Sequence, residues 1–306
     1  MTLCIAWVRK ANETDEIVMA ADSCFSSGQR FFAAPKLFPT KRGDCAIACA
    51  GMTQYSFPII EHVLRAFDIN KKLRDRATDI TDIVHVIEDI ANKCLHEEKE
   101  PEYATIPGEG PGFTMIIGGF SWKKKVPLLR ILSFDWKAKK MMTSKVNTIK
   151  GFPIAVIGDA DVIGPCRGKI HNKLEEDIEN GKSIDMQPLD VLMEYISDIE
   201  HTTIGGYPQL LKIYPFMNIL PFGFLHRKGD TKQDTTNLLN TNDDNGEECF
   251  ITYYGRPLLK YETFPYPIID LKTKEIRYMY ERTGDLDLKL SHESPKPLRG
   301  FPAKQN

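Results

Sequence analysis

The sequence predicts an α+β fold of four layers, a four-layer αββα sandwich in which two β-sheets pack face to face with a pair of helices outside each. Two observations carry that expectation. Apolar runs of strand type alternate with amphipathic helices in the order strands, two helices, strands, two helices, strands. Each helix has only one apolar face, and two stacked sheets covered on their outsides would bury all of those faces together. A chain of 306 residues, 42% of them hydrophobic, is large enough to fill such a core.

The elements follow in order. Thr2 to Val8 is apolar, with β-branched and aromatic members, and Glu16 to Asp22 returns beside it across the polar stretch Lys10 to Asp15. Pairing Val8 with Ile17 sets Thr2 opposite Ser23, one step from Asp22. Phe31-Phe32 and Lys36 to Phe38 supply a third strand, and the fully apolar Cys45 to Gly51 reads as a buried central one. The first helix takes Pro58 in its first turn and shows Ile60, Val63, Leu64 and Phe67 on one face. After Thr78-Asp79 a second helix repeats Ile80, Ile83, Val84, Ile87, Ala91, Cys94 and Leu95 at helical spacing. Residues 98–112, rich in Glu, Pro and Gly, form a loop. Strands resume at Phe113 to Phe120 and Val126 to Leu132, with shorter ones near Lys145–Ile149 and Ile154–Ile157. Two more helices carry Ile170, Leu174 and Ile178, then Val191, Leu192, Tyr195, Ile196 and Ile199 with Pro188 near the start. Leu210 to Ile213 is a further strand. Residues 2–220 therefore form the main domain, and 221–306 a C-terminal extension with a polar loop at 228–248, added strands at Cys249–Tyr254 and Glu275–Tyr280, and an irregular proline-rich tail.

Composition excludes several function classes. With 40 basic and 42 acidic residues the formal net charge is −2, which gives no reason to expect a nucleic-acid partner. Seven cysteines lack both a C-x-x-C pair and zinc-like spacing with histidine, as reduced thiols of a cytoplasmic protein would. No stretch reaches the roughly 20 apolar residues of a membrane helix, and the start lacks the basic end and long apolar core of a signal peptide, so no membrane association is expected. Gly108-Glu-Gly-Pro-Gly112 lacks the lysine and helix of a phosphate loop, and no G-x-S-x-G elbow is present. Asn242 to Gly246 lacks carboxylates at the first and last positions of a calcium loop, so it is not read as one. No metal and no cofactor are implied.

The chemistry lies at one end of the first hairpin. Thr2 and Asp22 share that end, Lys36 returns to it, and Gly51 finishes its strand there if the strands alternate in direction. A threonine hydroxyl needs a nearby base, and an N-terminal threonine brings its own α-amine, which is substantially neutral near its ordinary pKa of about 8. A lysine beside the hydroxyl lowers the hydroxyl's pKa and disfavours protonation of the amine. A carboxylate holds that lysine in place, and a glycine amide can bind an oxyanion. Met1 must first be removed, since a peptide bond would turn the base into an amide. Each residue alone has an ordinary explanation: Asp22 as a turn former, Lys36 as surface charge, Gly51 as a strand end. The ordered set favours chemistry.

These residues resemble the proteasome β-subunit family of N-terminal nucleophile hydrolases. The matching stretches are Thr2 opening the first strand, Ala20-Ala-Asp22-Ser23, Lys36-Leu37 and Ala50-Gly51. The opening Met1-Thr-x-Cys4 is most similar to the Anbu branch of bacterial proteasome homologues. The resemblance implies Thr2 as nucleophile, Asp22 and Lys36 in support, the Gly51 amide as oxyanion donor, and Phe25, Cys49 and Thr53 lining a substrate pocket. It implies Asp159 in place of a serine near the amine, Asp198 or His201 in place of an aspartate, and Ile204 in place of a second serine. It further implies a threonine-type peptidase that assembles as a homo-oligomer, ring or helical, acts on a peptide or amide substrate, and works with a possible unfoldase partner. A non-catalytic assembly subunit and a small-molecule amidase or acyltransferase using the same nucleophile are the alternatives left open at this stage.

Overall fold

A computed structural model describes residues 2–11, 14–26, 30–97, 110–198, 200–201, 203–215, 218–227, 248–258, 266–273, 275–283 and 287–291. Met1, nearly all of the polar loop expected at 228–248, most of the loop expected at 98–112, Ile199 and the proline-rich tail lie outside these residues. The chain opens with a hairpin of β1 (Leu3–Ala11) and β2 (Thr14–Ala21), in which Val8 faces Ile17, the register considered from the sequence. Then come β3 (Leu37–Pro39), β4 (Cys45–Gly51), and helices α1 (Thr53–Ile69), α2 (Lys71–Arg74) and α3 (Ile80–His96). Strands β5 (Phe113–Ser121), β6 (Val126–Asp135), β7 (Lys140–Lys145), β8 (Thr148–Ile149) and β9 (Phe152–Gly158) lead to α4 (Ala160–Glu179) and α5 (Gln187–Ser197). The chain then adds β10 (Gln209–Tyr214), β11 (Asn218–Arg227), β12 (Glu248–Ile251), β13 (Pro267–Asp270), β14 (Ile276–Thr283) and β15 (Asp287–Ser291).

Among the described residues these strands form two sheets. The smaller runs β3-β4-β5-β6-β7, entirely antiparallel. The larger runs β15-β14-β13-β11-β10-β2-β1-β9-β8, with β12 paired to β11. The strands of the extension therefore continue the sheet that holds the N-terminal hairpin.

The four layers can be read from which side chains share a core. Successive residues of a strand point to opposite faces. Leu3, Ile5 and Trp7 of β1 join α4 and α5, through Cys166, Ile170, Leu192 and Tyr195, in one apolar layer. Cys4, Ala6 and Val8 point the other way and meet Ala46, Ala48 and Ala50 of β4 between the sheets. Cys45, Ile47 and Cys49 of β4 face α1 and α3, packing with Ile59, Val63, Ile83 and Ile87. The sandwich is thus helix, sheet, sheet, helix, as its apolar pattern predicts. Alanine dominates the β4 contribution to the middle layer, which lets the two sheets approach closely.

Helix boundaries follow local chemistry. Asp79 caps α3 by accepting the Thr81 N–H at 3.0 Å. α1 starts earlier than expected: Pro58 lies inside it, not in its first turn. Met52 is tied to Gly112 by an N–H to carbonyl bond of 2.9 Å and itself accepts the Ser56 N–H at 3.1 Å, so the helix begins directly after β4. Among the described residues no helix is long and apolar enough to cross a membrane.

Ala155 is fully buried in the middle layer. Ala155→Leu, between the sheets on β9, is expected to cost about 1–3 kcal/mol of stability through overpacking. The exposed Ile69→Ala is expected to stay within about 0.5 kcal/mol. Urea unfolding of the two variants measures the contrast.

Candidate active site

The hairpin register delivers Thr2 and Asp22 to the same end of the larger sheet. Asp22 N–H donates to the Leu3 carbonyl at 3.2 Å, and Leu3 N–H donates back to Asp22 Oδ1 at 2.9 Å. The Asp22 carboxylate thereby grips the backbone immediately after Thr2. Its Oδ1 also accepts from Lys36 Nζ at 2.7 Å, and its Oδ2 accepts the N–H groups of Cys24 (3.1 Å) and Gly205 (3.2 Å). Lys36 Nζ donates again to the Cys24 carbonyl at 2.6 Å. Both side chains are fully buried. Burying such a pair is costly unless further hydrogen bonds satisfy the remaining lone pairs and protons, and here four donors converge on one carboxylate.

Lys36 sits one residue before β3. Its carbonyl accepts the Cys49 N–H at 3.1 Å, and its N–H donates to Gln209 Oε1 at 3.0 Å, so both sheets hold its backbone. Its ammonium lies 5.9 Å from the centroid of the Phe25 ring. Gly51 ends β4 at φ +103°, and a Cβ there would overlap the carbonyl oxygen of Gly112, so only glycine fits.

A cleft of about 460 Å³ opens at this end. Thr2, Gly51 and Asp159 line it, together with Phe25, Thr53, Ser26, Met52, Gln54 and Gly158. Asp159 stands at the start of α4, but its side chain does not cap that helix. It accepts instead from Thr203 Oγ1 at 3.0 Å and lies within hydrogen-bonding reach of the Thr2 N–H. Burial raises the Asp159 carboxyl above the usual aspartate range, against the lowering effect of those two donors.

Not every predicted site residue reaches the cleft. The Cys49 side chain lies on the helix-facing side of β4, because odd-numbered residues of that strand point there, and burial pushes its thiol up to about 12. Asp198 and His201 stand 3.9 Å apart, with the His201 ring against Tyr195, and neither lines the cleft. Ile204 is buried in the layer under α5. Thr203, to which the sequence reading assigned no role, is the residue that donates to Asp159. Burial also raises the thiols of Cys4 and Cys24, which leaves them poor nucleophiles.

Sequence reasoning missed Gln209. It is fully buried at the start of β10, accepting from the N–H of Lys36 and, at 3.4 Å, of Leu37. Its amide group donates to the carbonyls of Ala34 (2.6 Å) and Asp22 (3.4 Å). The only signal in the sequence was a lone glutamine heading an apolar run. Among the described residues no group of three or more His, Cys, Asp or Glu side chains is placed to hold a metal ion.

Fold and site together describe an αββα sandwich with a threonine heading its first strand and a buried lysine–aspartate pair beside it. No protein-family model and no curated protein matches the sequence. The solved structures that the chain resembles include two of Anbu. One is the helical assembly of the Anbu complex from Pseudomonas aeruginosa, at 16% identity and TM-score 0.49, over 72% of this chain and 84% of that one. Another is an Anbu mutant from Hyphomicrobium sp. strain MC1, at 14% identity and TM-score 0.45, over 72% of this chain and 85% of that one.

Removing one partner of the buried pair strands the other. Asp22→Ala is expected to cost about 3–5 kcal/mol in urea unfolding. Adding Lys36→Met to it should recover part of that loss, because the unpaired ammonium is gone.

Proposed function

We propose that this chain is a threonine-type amide hydrolase of the N-terminal nucleophile kind, acting on peptide bonds, with Thr2 as nucleophile once Met1 is removed. The observation that carries this reading is the Asp22 carboxylate, which holds the Lys36 ammonium and the Leu3 N–H on one oxygen, directly behind Thr2. Thr2 and Gly51 line the same cleft, and Asp159 sits by the nitrogen that would become the α-amine.

In this reading Thr2 Oγ1 attacks the carbonyl carbon of the scissile amide, and its proton passes to the α-amine. The charged Lys36 favours the developing alkoxide and keeps the amine neutral beforehand. The Gly51 amide stabilises the oxyanion of the tetrahedral intermediate, an effect typically worth about 100- to 1,000-fold in rate. Collapse breaks the C–N bond, and the α-ammonium returns its proton to the departing amine. The ester left on Thr2 is hydrolysed by water, activated by the same amine, which regenerates the hydroxyl. The buried thiols around the site take no part.

An epoxyketone that needs both a free α-amine and the neighbouring hydroxyl tests this directly. Intact mass is expected to show loss of Met1 and one covalent adduct, absent in Thr2→Ala. Retention of Met1 with no adduct would mean a non-catalytic assembly subunit. An adduct with turnover of acyl-amides but not of peptides would shift the substrate to small molecules.

Asp159 gives a pH signature. A carboxylate near the α-amine favours its ammonium form, so removing that charge lowers the amine's pKa. Asp159→Asn should therefore move the acid limb of the adduct-formation rate to lower pH, by roughly one unit. An acid limb that stays in place would remove Asp159 from the proton-handling group.

A further inference from the structure

The extension beyond β11 carries a tight turn that reaches the back of the site. β12 ends at Ile251, and the chain reverses through Thr252–Arg256: Gly255 N–H donates to the Thr252 carbonyl at 2.9 Å, and Thr252 N–H donates to the Arg256 carbonyl at 2.8 Å. Leu258 N–H donates back to the Phe250 carbonyl at 2.8 Å, closing the reversal. Ile251 is buried in the layer that holds Leu3 and Leu210, so the turn is anchored in the main core. At its tip Gly255 adopts φ +74°. A Cβ there would stand 2.5 Å from Ser23 Cβ, 2.9 Å from Ser23 Oγ and 3.0 Å from Gln209 Nε2. The backbone of the extension is thus packed against two side chains: Gln209, which bonds the backbone of both Asp22 and Lys36, and Ser23, the residue after Asp22.

Those two side chains do different work. Ser23 Oγ accepts the Tyr207 N–H at 2.7 Å and donates to the Phe32 carbonyl at 2.8 Å, which ties the end of β2 to the segments on either side. Gln209 spans from the Asp22 carbonyl to the backbone N–H of Lys36 and accounts for all four of its bonds within that one neighbourhood. We propose that the Thr252–Arg256 turn is a brace for the active site, with Gly255 and Gln209 as positioning residues that fix where the Lys36 ammonium stands relative to Thr2. The proposal rests on the hydrolase reading above for its consequence in rate, though not for the geometry. Neither residue lines the cleft, so both act through Lys36 and not on substrate. Gly255 is required because a side chain would push Ser23 and Gln209 apart. A small displacement suffices, since a misplacement of about 1 Å in a catalytic group can cost about 100-fold.

Two variants test it in the full-length chain: Gln209→Met, which keeps the volume and removes the four hydrogen bonds, and Gly255→Ala. Both are compared with Ile87→Ala, a cavity in the distant helix α3 that lowers stability without touching this region. Expected is a fall in kinact for the epoxyketone of about tenfold or more, with KI within about twofold and the pH midpoint of kinact moved upward, because a displaced ammonium lowers the α-amine's pKa less. Ile87→Ala should leave kinact unchanged while lowering Tm. Loss of Tm in the two variants with wild-type kinact and pH midpoint overturns the proposal. Amide hydrogen exchange at Lys36 and Leu37 separates this from failure of the hydrolase reading. If the wild type forms no adduct, that reading falls, and the brace still requires faster exchange at both amides in Gly255→Ala. Unchanged exchange there overturns the brace whatever the activity.

Discussion

The structure around the cleft depends on one buried carboxylate. Asp22 accepts from Leu3, Cys24 and Gly205 N–H groups and from Lys36 Nζ, and each donor comes from a different segment. A carboxylate with no access to water must have its lone pairs filled, and in an interior of low effective dielectric every such bond is strengthened. The start of β1, the end of β2, the approach to β3 and the approach to β10 are all fixed by that demand. Lys36 gains a position no surface lysine could hold, because its four-carbon stem is enclosed and its ammonium has two fixed acceptors.

This anchor works only because the sheets are close. Cys49 N–H bonds the Lys36 carbonyl from the smaller sheet, while Gln209 bonds the Lys36 N–H from the larger one. Alanines at 46, 48 and 50 on β4 and at 6 and 155 on the facing strands keep the intervening layer thin. Bulkier side chains there would separate the two halves of the site. Core packing and the geometry of the candidate site are therefore coupled through the distance between layers, and the extension reaches the same region where Gly255 lies against Ser23 and Gln209.

Much of the fold was legible in the sequence. The alternation of Leu3, Ile5 and Trp7 with Cys4, Ala6 and Val8 marks a strand buried on both faces, and the 3.6-residue spacing from Ile80 to Leu95 marks α3 with its Asp79 cap. Two apolar runs around one polar turn were enough to bring Thr2 and Asp22 to the same end of the hairpin, while the pairing of Val8 with Ile17 is fixed by the folded sheet. Pro58 misled, since proline favours a first turn only where no earlier residue can start the helix, and here the Met52–Gly112 bond starts it sooner. Phe31-Phe32 was also overread: Phe31 makes an isolated bridge to Phe25, while β3 begins only at Leu37.

By itself the sequence determined the layers and the hairpin that brings Thr2 beside Asp22, because local periodicity and short-range pairing depend on neighbours along the chain. Tertiary structure alone decided which residues complete the site. Thr203 beside Asp159, Gln209 behind Lys36 and Gly255 against Ser23 are separated from their partners by 44 to 232 positions. No periodicity reaches across such spans. Cys49 shows the converse: it stands only two residues before Gly51, yet its thiol is packed in the core against the helices and does not line the cleft. Hydrogen bonds between distant segments are selected by the packing of whole layers, and that selection appears only once the chain has folded.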